Sequence, residues 1–144
     1  MFDYEIEQLP PSRYGEAQNF YSRVGYHDPI APESLVFAAI SRPDLIGVVR
    51  LCVEEGDLLL RGMMIDQTWQ RRGVGSKLVK ALESAIGARD CYCLPHDWLE
   101  GFYGQIGFRK ISSEEVPKHL QARYQRYRNG PYPHIIVMKR HHKF

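Results

Sequence analysis

Residues 58–76 read LLLRGMMIDQTWQRRGVGS, a stretch in which a strand runs into a helix. Leu58 to Ile65 is an apolar run of strand length, and Gly62 inside it marks a bulge or a place where something approaches the backbone closely. After Gln70 to Gly75, QRRGVG, apolar residues fall at Val74, Leu78, Ala81, Leu82, Ala85 and Ile86, the face of a helix that Gly87 stops. A strand therefore enters a helix through two arginines and two glycines. The first amide N–H groups of a helix lack partners, and the helix dipole adds positive potential there. Gly73 and Gly75 leave the backbone open to a diphosphate, and Arg71 and Arg72 add mobile positive charge. On these six residues alone, a loop packed tightly on its glycines is an equal reading.

Composition narrows the function classes. A chain of 144 residues with 44% hydrophobic content predicts one compact domain over 1–144. A formal charge of +2 gives no support to a nucleic-acid or membrane partner. The opening MFDYEIEQLPPSRYGE has acids where a secretory leader needs a basic region and an apolar core, and no run reaches transmembrane length. The expected location is the cytoplasm. Cys52, Cys91 and Cys93 offer no disulfide framework and read as buried thiols. His141 and His142 read as a polar tail, so no metal is expected.

Element order follows from turns and periodicity. FDYEIEQL is a strand ended by Pro10-Pro11, and Ser12 is placed to cap a helix running to about Val24. GYHDPIAPE is a loop or a short helix. SLVFAAIS and LIGVVRLCVEE form a hairpin about RPD, and Glu55-Gly56-Asp57 turns the chain into LLLRGMMI. CYCL and FRKI are short strands on either side of a helix, DWLEGFYGQIG, that Gly107 stops. Ser112 with Glu115 forms a capping box for a helix to about Arg128, and HIIVM is the last strand. The fold class is mixed α/β, with Leu58–Ile65 and CYCL parallel through a right-handed crossover.

QRRGVG lacks the spacing of a Walker loop or a dinucleotide-binding turn. With the preceding strand it resembles the acetyl-coenzyme A signature of the GNAT superfamily of N-acetyltransferases, Q/R-x-x-G-x-G/A, at Gln70, Gly73 and Gly75. Further on, EGFYGQIGFRKI resembles that family's aromatic pair followed by Gly-Phe, at Phe102, Tyr103, Gly107 and Phe108. The resemblance covers roughly Leu35 to Ile111. It implies a mixed, mostly antiparallel central sheet with a parallel central strand pair, flanked by helices on both faces.

It further implies acetyl-coenzyme A as cosubstrate and a primary amine of a small molecule or peptide as acceptor. Backbone groups of Met63, Met64 and Ile65 are then expected on the pantetheine arm and the thioester carbonyl. Gln70, Arg71, Arg72, Gly73, Val74, Gly75 and Ser76 are expected at the diphosphate. Tyr103 falls where the family often has a tyrosine that protonates the departing thiolate, a transfer from a phenol of pKa about 10 toward a thiol of about 8.5. An acyl-coenzyme A sensor without turnover is the alternative.

Two positions depart from the family's pattern. His96 stands where Asn is common near the coenzyme, and is carried as a cofactor contact or a base. Leu58 to Ile65 contains none of the carboxylates that many members use as a base. A lysine-like amine costs about 4 to 5 kcal/mol to deprotonate at neutral pH, so a base or a water path is needed. Glu54, Glu55, Asp57, Asp66 and His96 are the candidates by position. No cysteine nucleophile is required.

Tyr26 to Glu33 and RYQRYRNGPYPH are expected to shape the acceptor side. Lys118, Arg123, Arg126, Arg128, Lys139, Arg140 and Lys143 make the C-terminal part basic, with no acid after Glu115. A solvated helix face with Val116, Leu120, Tyr124 and Tyr127 turned inward is favoured over an anion-selecting rim. An exposed sheet edge near HIIVM would permit a homodimer.

Overall fold

A computed structural model describes residues 3–141; Lys143 and His142 lie outside them. Contacts divide the chain into two compact units, Met1–Gly87 and Ala88–Phe144.

The first unit contains β1 (Glu5–Leu9), α1 (Tyr14–Arg23), β2 (Leu35–Ser41), β3 (Asp44–Glu54), β4 (Asp57–Ile65) and α2 (Val74–Ile86). Its strands form an antiparallel meander, β1 on β2, β2 on β3 and β3 on β4. Side chains alternate across a strand, and β2 and β3 are buried on both faces for almost their whole length. Val36, Ala38, Ile40 and Val48 join one core with Ala17, Phe20 and Tyr21 of α1. The adjacent Gly47 points the other way, toward Leu78 of α2. Helices therefore cover both faces of this meander. α2 sits there because Val74, Leu78, Val79, Leu82 and Ile86 form one apolar stripe, all buried.

The second unit contains β5 (Cys91–Cys93), α3 (Glu100–Gly104), β6 (Arg109–Ile111), α4 (Lys118–Arg128) and β7 (Val137–Arg140). β7 pairs antiparallel with β5 and with β6. The strand order is β1-β2-β3-β4-β5-β7-β6. The sheet is mixed and mostly antiparallel, with β4 and β5 its parallel pair, as expected from the sequence.

Several boundaries differ from expectation, each for a physical reason. Ser12 does not cap α1; Pro11–Arg13 forms a 3-10 turn and the helix starts at Tyr14 with no side-chain cap. The Ser112/Glu115 capping box does form, but it closes a 3-10 turn at Ser113–Glu115. Pro117, extended at φ −55° and ψ 152°, separates that turn from α4. Of the two alternatives for GYHDPIAPE, the loop is the one that forms. β7 is an interior strand with a partner on each side, so it offers no free edge for a homodimer. Arg140, one of the basic C-terminal residues, is buried, and its Nε donates to the Ile106 carbonyl at 2.8 Å.

Candidate active site

β4 delivers the first group of candidate residues. Opposite Val48-Val49-Arg50 on β3, β4 spends four residues, Arg61 to Met64, between register partners Arg50↔Arg61 and Val48↔Met64. The extra residue is a bulge, and Gly62 carries it with φ +68°. Tyr21 of α1 crowds this point: its hydroxyl donates to the Gly62 carbonyl at 2.7 Å, and a Cβ built on Gly62 would lie 2.5 Å from that oxygen. Both sequence expectations for Gly62 hold. Burial pushes the Tyr21 hydroxyl above the ordinary phenol range, so it stays protonated and keeps donating. Met63, Met64 and Ile65 follow the bulge, half-buried.

The loop after β4 is fastened at both ends. Asp66 N–H donates to the Ile46 carbonyl at 2.8 Å, and its carboxylate accepts from Thr68 N–H at 2.9 Å and Thr68 hydroxyl at 2.7 Å. Arg23 forms an ion pair with the same carboxylate. These donors hold Asp66 down at a pKa of about 2, the Arg23 bond first among the causes. The Gln70 side-chain amide donates to the Ile65 carbonyl at 3.2 Å, tying the loop back to the strand end.

Arg71 and Gly73 both adopt left-handed backbone, φ +63° and +81°. Gly73 is the residue that caps α2, and no side chain caps that helix. A Cβ on Gly73 would meet nothing within 4 Å. Its glycine serves backbone conformation and access, not packing against the protein. Gln70, Arg71, Arg72 and Gly73 are exposed; Val74 is buried, so only its backbone faces the loop. Arg72 lies over the Trp69 ring at 5.8 Å.

The base candidates separate by place. Glu54, Glu55 and Asp57 form the β3–β4 turn, about 20 Å along the strand from Met64 at ~3.3 Å per residue. Glu54 is also ion-paired with Arg61 at 3.1 Å. Asp66 is close to the strand end, but the donors that depress its pKa make it a poor proton acceptor.

In the second unit, Tyr103 lies buried on α3, edge-on to Phe102 at 4.9 Å and to Phe108 at 6.2 Å. This packing is what the FYGQIGF pattern encodes, with Gly107 at φ +95° turning the chain into β6. His96 stacks flat on Trp98 at 4.4 Å and 4°, and meets Tyr132 edge-on at 5.8 Å. On α4 Leu120 is buried, Tyr124 and Tyr127 are half-buried, and Arg126 and Arg128 are exposed, in keeping with a solvated basic face. Cys91 and Cys93 are buried, and burial raises the Cys93 thiol well above its ordinary value, with Cys91 adding to it.

One cluster has no motif in the sequence to announce it. Arg50, only 2% exposed, lies in the middle of β3. It pairs with Asp28, donates to the Pro29 carbonyl at 3.1 Å and to the Tyr26 hydroxyl at 3.2 Å, and stacks over the Tyr21 ring at 5.4 Å. The available signal was one arginine inside the apolar run LIGVVRLCV.

An acetyltransferase (GNAT) domain model matches residues 32–110, more than half of the chain. The chain belongs to the GNAT acetyltransferase family. No protein of curated function matches it in sequence. Among solved structures, it is similar to a GNAT-family acetyltransferase from Staphylococcus aureus, at 15% identity and a TM-score of 0.64 over 96% of this chain and 98% of that one. It is similar to the ribosomal-protein-S18-alanine N-acetyltransferase from Escherichia coli, at 14% identity and 0.67 over 95% and 92%. A Mycobacterium tuberculosis protein, Rv2747, in complex with coenzyme A shares 12% identity, with a TM-score of 0.70 over 97% and 99%. At these identities the likeness shows the GNAT fold. Among the described residues, no helix is long and apolar enough to cross a membrane.

Proposed function

We propose that this GNAT protein transfers the acetyl group of acetyl-coenzyme A to a primary amine of a small molecule or peptide, by direct attack in a ternary complex. The observation that carries the proposal is the exposed loop entering α2, where Gly73 caps the helix with open space around it and brings no capping side chain of its own. That terminus suits a diphosphate, with Arg71 and Arg72 at its rim. The M. tuberculosis neighbour's coenzyme A and the family itself favour acetyl-coenzyme A as the ligand. The E. coli neighbour's substrate, a ribosomal protein's alanine, is an example of a peptide amine on this fold.

In the proposed reaction the amine nitrogen bonds to the acetyl carbon, the C–S bond breaks, and amides of Met63 to Ile65 hold the developing oxyanion. Tyr103 gives its proton to the leaving sulfur, and the proton lost by the amine passes to water or a base. His96 is proposed as a coenzyme contact. No resident metal and no cysteine nucleophile enters the scheme. Three cysteines outside any disulfide fit a reducing, cytoplasmic location, and neither nucleic acid nor membrane is proposed as partner.

A second reading, an acyl-coenzyme A sensor, is favoured by the placement of the carboxylates, three at the far turn and Asp66 held by donors. The test titrates the protein calorimetrically with acetyl-coenzyme A and then follows thiol release with a panel of amines, comparing Gly73→Glu and Tyr103→Phe. Acetyl transfer predicts binding lost in Gly73→Glu and turnover lowered in Tyr103→Phe. Binding without thiol release for any amine supports the sensor, and no binding by the parent protein removes both readings.

A further inference from the structure

Arg50 is a cation placed where a hydrophobic residue would pack more cheaply, since a buried ion pair gains little stability over an apolar side chain of the same size. Its contacts suggest why it is there. The guanidinium reaches Tyr26, Asp28 and Pro29, all in the segment after α1. Asp28 also takes Arg61 Nη2 at 3.2 Å, and Arg61 is the register partner of Arg50 where the β4 bulge begins. On its other side Arg50 covers the Tyr21 ring, and its Nε would lie 3.1 Å from a Cβ on Gly62. Tyr21 in turn holds the Gly62 carbonyl. One side chain thus joins the loop after α1 to the α1 phenol and closes off the space beside the bulged residue directly before Met63.

We propose that Arg50 is a positioning residue for acetyl transfer: acting through Tyr21 and Asp28, it fixes the β4 bulge so that the amides of Met63 to Ile65 are aimed at the thioester carbonyl. This rests on the acetyl-transfer function proposed above. The planar fork is essential to it, because lysine keeps the charge yet cannot hold Asp28, Tyr26 and Pro29 together while its cation also sits over the Tyr21 ring. An amide displaced by about 1 Å loses much of its effect on the transition state while ground-state binding of the coenzyme changes little.

The test uses the full chain, acetyl-coenzyme A and hydroxylamine, a nucleophile small enough to need no acceptor pocket and deprotonated at neutral pH. Its nitrogen takes the acetyl group to give acetohydroxamate, the C–S bond breaks, and the nitrogen's proton ends on the thiol. Arg50→Lys should lower kcat for this reaction about 10-fold or more while KM for acetyl-coenzyme A stays within about twofold. Tyr21→Phe removes one hydroxyl and guards against a misfolded Arg50 variant. It should lower kcat in the same way and speed amide hydrogen exchange at Met63 to Ile65.

Unchanged kcat in Tyr21→Phe overturns the proposal, and so does a fall in both variants that tracks loss of folded protein. A parent protein that binds acetyl-coenzyme A but does not accelerate hydroxylaminolysis overturns it alone. A parent that binds no coenzyme A removes the acetyl-transfer function as well.

Discussion

Arg23, in the last turn of α1, is ion-paired with Asp66, the residue that leads from β4 into the QRRGVG loop, and its second nitrogen donates to the Leu45 carbonyl at 3.0 Å. The pair joins helix, sheet and loop across 43 residues of sequence. Asp66 has a folded pKa of about 2 against an ordinary 3.8, so its folded form holds a proton less tightly than the unfolded chain does. The resulting stability is present above pH 4 and is lost as pH falls through about 2. Asp66→Asn keeps a cap for Thr68 but removes the ion pair. It should lower stability at pH 7 by about 1 kcal/mol, a figure kept small because Arg23 is half exposed. Urea midpoints of parent and variant should converge between pH 4 and pH 2.

Gly62 combines a left-handed backbone with a neighbour already too close for a Cβ. Gly62→Ala must displace the Tyr21 hydroxyl from the Gly62 carbonyl, and with it the ring on which Arg50 lies. About 3 kcal/mol of stability should be lost, backbone strain and crowding each contributing. Urea unfolding at pH 7 measures this. A loss below about 1 kcal/mol would mean that the bulge relaxes without Tyr21.

Much of this architecture is legible in the sequence, because short-range signals encode it. The period of the α2 stripe, the glycines of the loop and the Phe102-Tyr103 to Gly107-Phe108 spacing each act within a dozen residues. Local signals also misplace what tertiary packing sets. Ser12 is a sound capping residue, yet Pro10-Pro11 lets a 3-10 turn form first. HIIVM looks like a last, outer strand, but β7 inserts between β5 and β6, which no local pattern specifies. The Arg50 cluster escapes for the same reason: Tyr21, Tyr26, Asp28 and Arg50 meet only once α1 has docked on β3.

Cys91 and Cys93 share a buried strand, and burial raises the Cys93 thiol. The native protein should react with iodoacetamide at pH 8 about 100-fold more slowly than the urea-unfolded chain, because labelling waits for opening. Cys93→Ala should leave thiol release from acetyl-coenzyme A unchanged. Rapid labelling of Cys93 by one equivalent, with loss of turnover, would restore the cysteine as a nucleophile.

The space around Gly73 allows folding and ligand binding to be separated at one position. A methyl group there meets nothing within 4 Å, so Gly73→Ala bears only the φ +81° backbone and should cost about 1 kcal/mol. Gly73→Glu bears the same backbone cost and adds a carboxylate at the helix terminus, where the apo protein should tolerate it well because the dipole favours negative charge. The two variants should therefore unfold at similar urea concentrations. Toward acetyl-coenzyme A they should differ sharply: alanine should weaken binding by up to about 10-fold, and glutamate should abolish it by occupying the place of the diphosphate and repelling it. Titrations at two salt concentrations give the check. If glutamate and alanine weaken binding equally, the diphosphate does not sit at this terminus, and the loop acts on the coenzyme only through the path of β4.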